Sequence, residues 1–186
     1  MNTAEGSSSN TSWPQQTLIV TDRLLLEPLA VRHAAEMAET LSSSPDLFTH
    51  IGGTSPSVSE LERLYALQSV GASPDGEAGW LNWIIRDATR SIAVGYVQAT
   101  VTRADARNQA DIAWVIGADH QRQGFATEAA RAMIAWLADR HVTELRAAIH
   151  PDNTASNRVA ERLGLQQTDE IDDGEVIWHA EMRTRE

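Results

Sequence analysis

The stretch at residues 111–128, DIAWVIGADHQRQGFATE, predicts a buried strand, a short loop and the start of a helix. Residues 112–116 are almost wholly apolar, which predicts a central strand covered on both of its faces. Residues 124–139 have apolar side chains at helical spacing, which predicts an amphipathic helix that packs along one stripe: Phe125, Ala129, Met133 and Trp136. The strand and the helix are joined by residues 117–123.

The N-terminus of this predicted helix has features that favour binding of an anion. Gly124 and Ala126 leave the backbone N–H groups unobstructed, the helix dipole favours negative charge, and Arg122 adds a positive one. Spacing alone explains Gly124 equally well as an ordinary helix cap. The loop lacks the Lys-Ser/Thr pair of a phosphate-binding loop, and it lacks a dinucleotide fingerprint followed by an acidic strand end. Nucleotide hydrolysis and hydride transfer are therefore excluded.

Composition excludes several further classes of protein. The chain has no cysteine, so disulfide scaffolds, Cys zinc sites and thiol nucleophiles are ruled out. All 15 basic residues are arginine, which rules out lysine Schiff-base chemistry. The formal net charge of −11 would repel a nucleic acid and attract a cationic partner. The histidines show no metal-ligand spacing, so no metal is expected.

The length of 186 residues predicts one domain. Residues 1–16 are rich in Ser, Asn, Thr and Gln and predict a disordered tail, which leaves 17–186 as the domain. Trp13 and Pro14 are candidates to anchor the end of this tail. The N-terminus has no basic start and no apolar core, and no run approaches 18 apolar residues, so the cytoplasm is the expected location and no membrane partner is expected.

The remaining elements predict a mixed α+β fold, because strands and helices alternate only in the second half of the chain. Apolar and β-branched runs predict strands at 18–20, 24–26, 80–85, 92–102, 110–116, 145–149 and 176–180. Helical periodicity and capping residues predict helices at 30–41, from Ser57 or Ser59 to about 70, at 124–139 and at 153–163, with Gly164 as the C-terminal cap of the last.

Three segments occur in an order that is typical of one family: residues 21–29 (TDRLLLEPL), 121–129 (QRQGFATEA) and 150–165 (HPDNTASNRVAERLGL). Together with the order of elements, they resemble the GNAT N-acetyltransferase superfamily, and in particular its RimJ/RimL-type branch. The resemblance implies a mostly antiparallel central sheet of about seven strands, flanked by helices and splayed between the fourth and fifth strands. It also implies acetyl-CoA as co-substrate.

The resemblance assigns binding roles to named residues. Backbone groups of Val115, Ile116 and Gly117 would pair with the pantetheine arm. Backbone amides would hold the pyrophosphate along the loop and first helical turn: Arg122, Gln123, Gly124, Phe125, Ala126 and Thr127. Asn153 and Asn157 would bond the pantetheine or reach the nucleotide. A helix cap is the simpler explanation of Asn153 and a solvated position that of Asn157.

Acetyl transfer to an amine needs a base, a stabilised oxyanion and a leaving thiolate. The resemblance places Asp111 where family members often have a glutamate base, although an ordinary aspartate is a weak base unless it is buried or acts through water. The position that often holds a tyrosine acid is Ala160 here. The RimL-like branch offers a serine instead, matched by Ser156, as a hydrogen-bond donor to sulfur.

By analogy with the fold, residues 42–57 and 71–82 flank the acceptor cleft, with the last strand beside them. The candidate substrate residues are Asp46, Phe48, His50, Glu77, Trp80, Asn82, Trp83, Glu175 and Trp178. Core packing is the simpler explanation for the tryptophans and a solvated surface for the acids.

The acidic balance favours a primary amine on a small cationic acceptor, such as an aminoglycoside-like antibiotic or a polyamine, and hence a role in antibiotic resistance. The branch resemblance favours a protein N-terminal acetyltransferase acting on a ribosomal protein. The missing tyrosine leaves open a CoA-binding module that has lost transfer. A homodimer is the expected assembly.

Overall fold

A computed structural model describes residues 13–44, 47–48, 53–104 and 107–182 of the chain. The elements run in the order β1 (Ile19–Val20), β2 (Leu24–Pro28), α1 (Ala34–Ser42), α2 (Val58–Gln68), β3 (Ala78–Asp87), β4 (Ile92–Ala104), β5 (Arg107–Ile116), α3 (Phe125–Ala138), β6 (Val142–Ile149), α4 (Thr154–Leu163), β7 (Gln166–Asp172) and β8 (Glu175–Glu181). No helix among these residues has the length and apolar character that a bilayer span requires.

The helices begin and end at residues that the sequence marks. Ser57 caps α2, and its side chain and that of Glu60 each bond the other's backbone N–H in a capping box. Asn153 caps α4 through its side chain, and Gly164 ends it in the left-handed conformation at φ +87°. The predicted inward stripe of α3 is buried. The start of α1 differs from the prediction, since Val31–His33 form a short 3₁₀ helix before it.

One sheet of eight strands runs through the molecule in the order β1-β2-β3-β4-β5-β6-β8-β7. Neighbouring strands are antiparallel except for β5 and β6, which are parallel. The pairing of β5 with β6 ends at Asp111 and Arg146, although β5 continues to Ile116 and β6 to Ile149. The two strands therefore diverge beyond Asp111. They are the fourth and fifth strands when the two-residue β1 is left out, as the resemblance implied.

Each face of the sheet is covered by helices. The face that includes Ile112 and Ile116 packs against α3 in the larger core, where Trp83 meets Trp136 edge-on at 5.1 Å between ring centroids. The face that includes Val115 packs against α1 and α2 in a second core. Strand β5 is thus covered on both sides, as its apolar run predicted.

One strand was not predicted. Strand β7 is an edge strand with mostly exposed polar side chains, so it has no apolar alternation to reveal it. Residues 13–16 contact the domain, as the candidate anchor at Trp13 suggested: the Trp13 Nε1–H donates to the carbonyl of Gly76 at 3.0 Å, and the Gln16 Nε2–H donates to that of Asn82 at 2.7 Å.

Candidate active site

The divergence of β5 and β6 opens a cavity of about 530 Å³, which we name the cofactor cavity. Its walls come from the end of β5, the loop and first turn of α3, and the start of α4. It brings together residues that the sequence predicted for acetyl-CoA and for the leaving sulfur: Val115, Ile116, Arg122, Gly124, Phe125, Ala126, Thr127, Asn153 and Ser156.

The loop and first turn at the N-terminus of α3, residues 122–127, have unpaired backbone N–H groups; we name this segment the mouth of α3. None of the backbone N–H groups of residues 122–127 donates to an acceptor within the described part of the chain. Gly124, the N-cap, has φ +81°, and Arg122 has φ +61°, so the backbone turns twice through the left-handed region before the helix begins. Such a turn directs several N–H groups to one side and, with the helix dipole, makes an anion-binding concavity.

A salt bridge to the start of β2 anchors the same turn. Glu128 lies in the first turn of α3 and accepts hydrogen bonds from the Thr21 hydroxyl at 2.6 Å and from Arg23 Nε at 2.7 Å. Partial burial of the Glu128 carboxylate opposes ionisation, but these bonds outweigh it and lower its pKa. Arg23 also donates to the carbonyl of Gln123 at 3.1 Å and lies over the Phe125 ring. A negative charge beside the anion-binding turn is thereby neutralised.

Basic side chains gather at this cavity in an otherwise acidic chain. His120, Arg122, Arg158 and Arg162 line it, and Asp152 is the single acid among the described lining residues. Arg158 and Arg162 lie one turn apart on α4, so they share a helix face. Sequence reasoning missed both of them, because exposed arginines on an amphipathic helix carry no distinguishing pattern.

Three residues predicted to bind the cofactor do not line the cavity. The N–H of Gly117 donates to the carbonyl of Val94 at 2.9 Å, and a Cβ at this glycine would lie 2.7 Å from Thr40 Cγ2. The carbonyl of Gln123 accepts from Arg23. The side chain of Asn157 turns back and donates to the carbonyl of Pro151 at 2.9 Å.

Asn153 and Ser156 are joined at the start of α4. The Asn153 Oδ1 accepts from the Ser156 N–H at 3.1 Å, so Asn153 caps the helix, as one prediction held, and lines the cavity as well. The Ser156 hydroxyl makes no hydrogen bond within the described residues, which leaves it available as a donor to a ligand.

Asp111 lies outside the cofactor cavity, at the point where β5 and β6 separate. Its carboxylate is 3.9 Å from the Nε of Arg146, whose Nη2 lies 2.7 Å from Glu170. Desolvation by the neighbouring strands raises the pKa of Asp111 above its ordinary range, although 53% of its side-chain surface is exposed, and Arg146 only partly opposes this. A raised pKa makes the carboxylate a better proton acceptor near neutral pH than an ordinary aspartate.

A second cavity of about 280 Å³ lies between α2 and strands β3 and β4; we name it the side cavity. Trp80 and Asn82, both predicted for the acceptor, line it. Gln98 and Thr100 of β4 line it too, together with residues of α2. Thr100 is directly opposite Asp111 in the strand register, and opposed residues place their side chains on the same face of a sheet. Asp111 therefore lies one strand away from the side cavity.

The other acceptor candidates do not meet at either cavity. Asp46 and His50 fall outside the described residues. Trp83 and Trp178 are buried in the larger core, where core packing is sufficient explanation. Phe48 packs against the second core. Glu77 directly precedes β3 and Glu175 begins β8, and neither lines the cofactor cavity or the side cavity.

Comparison with known proteins agrees with this architecture. Residues 23–166 match the family described as the acetyltransferase (GNAT) domain. The chain is similar to the uncharacterised protein YkkB of Bacillus subtilis (strain 168), with 26% identity over 84% of this chain and 89% of that one.

Two solved structures share the fold. One is RimL, the ribosomal L7/L12 alpha-N-protein acetyltransferase in complex with coenzyme A, with a TM-score of 0.73, 16% identity, and coverage of 89% of this chain and 98% of that one. The other is the microcin C7 self-immunity acetyltransferase MccE in complex with acetyl-CoA and AMP, with a TM-score of 0.72, 19% identity, and coverage of 87% and 94%. The diverging sheet and the matched residues lead to one conclusion: the chain belongs to the GNAT family of acetyltransferases, enzymes that use acetyl-CoA.

Proposed function

We propose that the chain transfers the acetyl group of acetyl-CoA to a primary amine of a small cationic acceptor in the cytoplasm. The observation that carries this proposal is the row of unpaired backbone N–H groups at residues 122–127, all of which except Gln123 line a cavity with basic side chains. Acetyl-CoA is rich in phosphate, and a helix mouth of this kind binds phosphate. The net charge of −11 supports a cationic acceptor.

In this proposal the cofactor cavity binds acetyl-CoA and the side cavity binds the acceptor. The pyrophosphate binds the mouth of α3, and the pantetheine arm follows β5 beyond Asp111, where the edge of the strand has lost its partner. A backbone N–H near Val115 or Ile116 stabilises the oxyanion of the tetrahedral intermediate. Asp111 accepts the amine proton through water, and the Ser156 hydroxyl donates a hydrogen bond to the leaving sulfur.

The test measures thiol release from acetyl-CoA over a panel of amines with a thiol reagent, because a protein without cysteine adds no background of its own. The panel contains aminoglycosides, polyamines, amino-acid amides and basic N-terminal peptides. Turnover on small amines is the expected result, and turnover on aminoglycosides would extend it to antibiotic resistance.

Other results of the same panel would contradict the proposal. Turnover on peptides alone would favour a protein N-terminal acetyltransferase of the RimL type. Binding of acetyl-CoA without turnover on any amine would favour a CoA-binding module that has lost transfer.

A further inference from the structure

One wall of the side cavity is polar, and its side chains have no hydrogen-bond partners within the described residues. The side chain of Asn82 makes no hydrogen bond within the described residues, although Asn82 is only 8% exposed. Gln98 and Thr100 also line the cavity without a side-chain partner among those residues. These neutral donors and acceptors face the open cavity, so they are free to bond a polar group of a ligand in place of water.

The wall formed by α2 is apolar apart from Gln68, and it is open to solvent. Leu64 and Leu67 of α2 line the cavity with 44% and 64% of their surface exposed, and Trp80 lines it from β3. An apolar group placed between the indole of Trp80 and these leucines would remove their exposed surface from water.

Charge is missing from both walls. None of the described residues that line the side cavity is acidic or basic. A second ammonium group would lose part of its hydration here without a carboxylate to pair with it, which is unfavourable. The strand register places the Asp111 carboxylate beside the cavity, since Asp111 is opposite the lining residue Thr100. The proposed reaction already uses this carboxylate for the amine that is acetylated.

We infer that the side cavity binds the body of the acceptor, and that this acceptor is a singly charged primary amine in which an aromatic or branched aliphatic group stands next to a neutral hydrogen-bonding group. This inference rests on the proposed function and narrows its acceptor. The amine reaches Asp111, the neutral polar group bonds Asn82 and Gln98, and the apolar group packs on Trp80. Polyamines and aminoglycosides, which carry several ammonium groups, are poor ligands of this cavity.

The experiment compares tyramine and leucinamide with putrescine, using both turnover of acetyl-CoA and calorimetric binding to the CoA-loaded protein. The wild-type chain is expected to favour the two monoamines over putrescine by at least tenfold. Gln98→Glu has nearly the same shape and adds a carboxylate to the cavity, so it is expected to reduce that preference at least tenfold. Gln167→Glu, at an exposed position of β7, is the matched control and leaves the preference unchanged.

The two readouts separate the inference from the proposed function. Monoamine binding that Trp80→Ala abolishes, with no turnover, would support the inference and contradict acetyl transfer. Turnover that favours putrescine, or a preference that Gln98→Glu does not change, would overturn the inference and leave acetyl transfer standing. Absence of both monoamine binding and monoamine turnover would overturn the inference.

Discussion

Asp111 is the residue on which the proposed proton transfer depends. Asp111→Asn is expected to lower kcat by about 100-fold, within the range of general-base contributions. The KM for acetyl-CoA should stay unchanged, because Asp111 does not line the cofactor cavity. The wild-type rate falls as the pH drops through the raised pKa of Asp111, and this acidic limb should disappear in the variant. Steady-state kinetics from pH 5 to 9 measure both effects.

Stability distinguishes this role from a structural one. Because burial raises the pKa of Asp111, the folded state disfavours its charge at neutral pH, and stability rises as the pH falls through that pKa. Asp111→Asn should therefore keep or raise the Tm while it lowers the rate. Asp169→Asn, at an exposed position of β7, is the control and should change neither. A variant with full kcat, or one that loses rate only because it unfolds, would contradict the assignment.

Single residues show how far sequence reasoning reaches. Asn153 and Gly124 were predictable because capping and positive φ select particular residue types. Gln98 and Thr100 were not, because neutral polar residues that alternate along a strand normally face solvent. Only the position of α2 over the sheet makes them cavity residues.

At the scale of elements, the start of β2 supports the mouth of α3. Arg23→Gln leaves the Glu128 carboxylate without its cation in the first turn, where it would repel the pyrophosphate. The Kd for acetyl-CoA is expected to rise about tenfold, because a unit charge about 4 Å away costs roughly 1 kcal/mol when water screens it and more where it is partly buried. Isothermal titration with acetyl-CoA measures this change.

A double variant tests whether Arg23 acts by neutralising a charge or by packing. Glu128→Gln in the Arg23→Gln background removes the unpaired charge and should restore most of the affinity. If the double variant binds as weakly as Arg23→Gln alone, Arg23 acts through its packing on Phe125 and not by neutralising Glu128.

Elements with strong apolar periodicity were predicted well, and others were not. Strand β5 and helix α3 were identified because their buried faces leave a clear pattern in the sequence. Strand β7 was missed because, among the described strands, it pairs with β8 alone, and it buries almost nothing. The ion pair between Arg23 and Glu128 joins residues 105 positions apart, and no local sequence pattern predicts such a contact.

At the scale of the whole molecule, a partly buried cluster links β2, α1 and β3. Arg86 pairs with Glu27 at 3.1 Å and with Glu36 at 2.9 Å, and His33 Nε2 lies 3.0 Å from Glu27. Burial lowers the pKa of His33, and its Nδ1 accepts the N–H of Ala30. His33 is therefore neutral in the folded state at neutral pH.

This cluster makes stability depend on pH. Because the folded pKa of His33 lies below the unfolded value of about 6.5, the unfolded chain binds the extra proton first, and stability is lost as the pH falls below 6.5. The lowered pKa values of Glu27 and Glu36 add a second loss below about 4.5. The Tm should fall between pH 7 and 5.5, and His33→Gln should flatten that fall. His141→Gln, at an exposed position, is the control; an equally steep fall in both variants would contradict the assignment.

The fold as a whole was predictable because three motifs in a fixed order specify it, and the diverging strands follow from that order. The chemical class of the acceptor was not predictable to the same degree, since the cavity proposed to bind it depends on how α2 lies over β3 and β4. The expected homodimer stays a prediction that depends on surfaces no motif describes.

The central claim is that the mouth of α3 binds the pyrophosphate of acetyl-CoA, and thermal unfolding with and without acetyl-CoA tests it most directly. Acetyl-CoA should raise the Tm of the wild-type chain by mass action. Gly124→Glu places a carboxylate at a residue with φ +81° beside the unpaired amides and should abolish that rise. Gly174→Glu introduces the same strain at φ +85° in the turn between β7 and β8, away from the cavity, and should keep it. A Gly124→Glu protein that acetyl-CoA stabilises as much as it does the wild type would contradict the account.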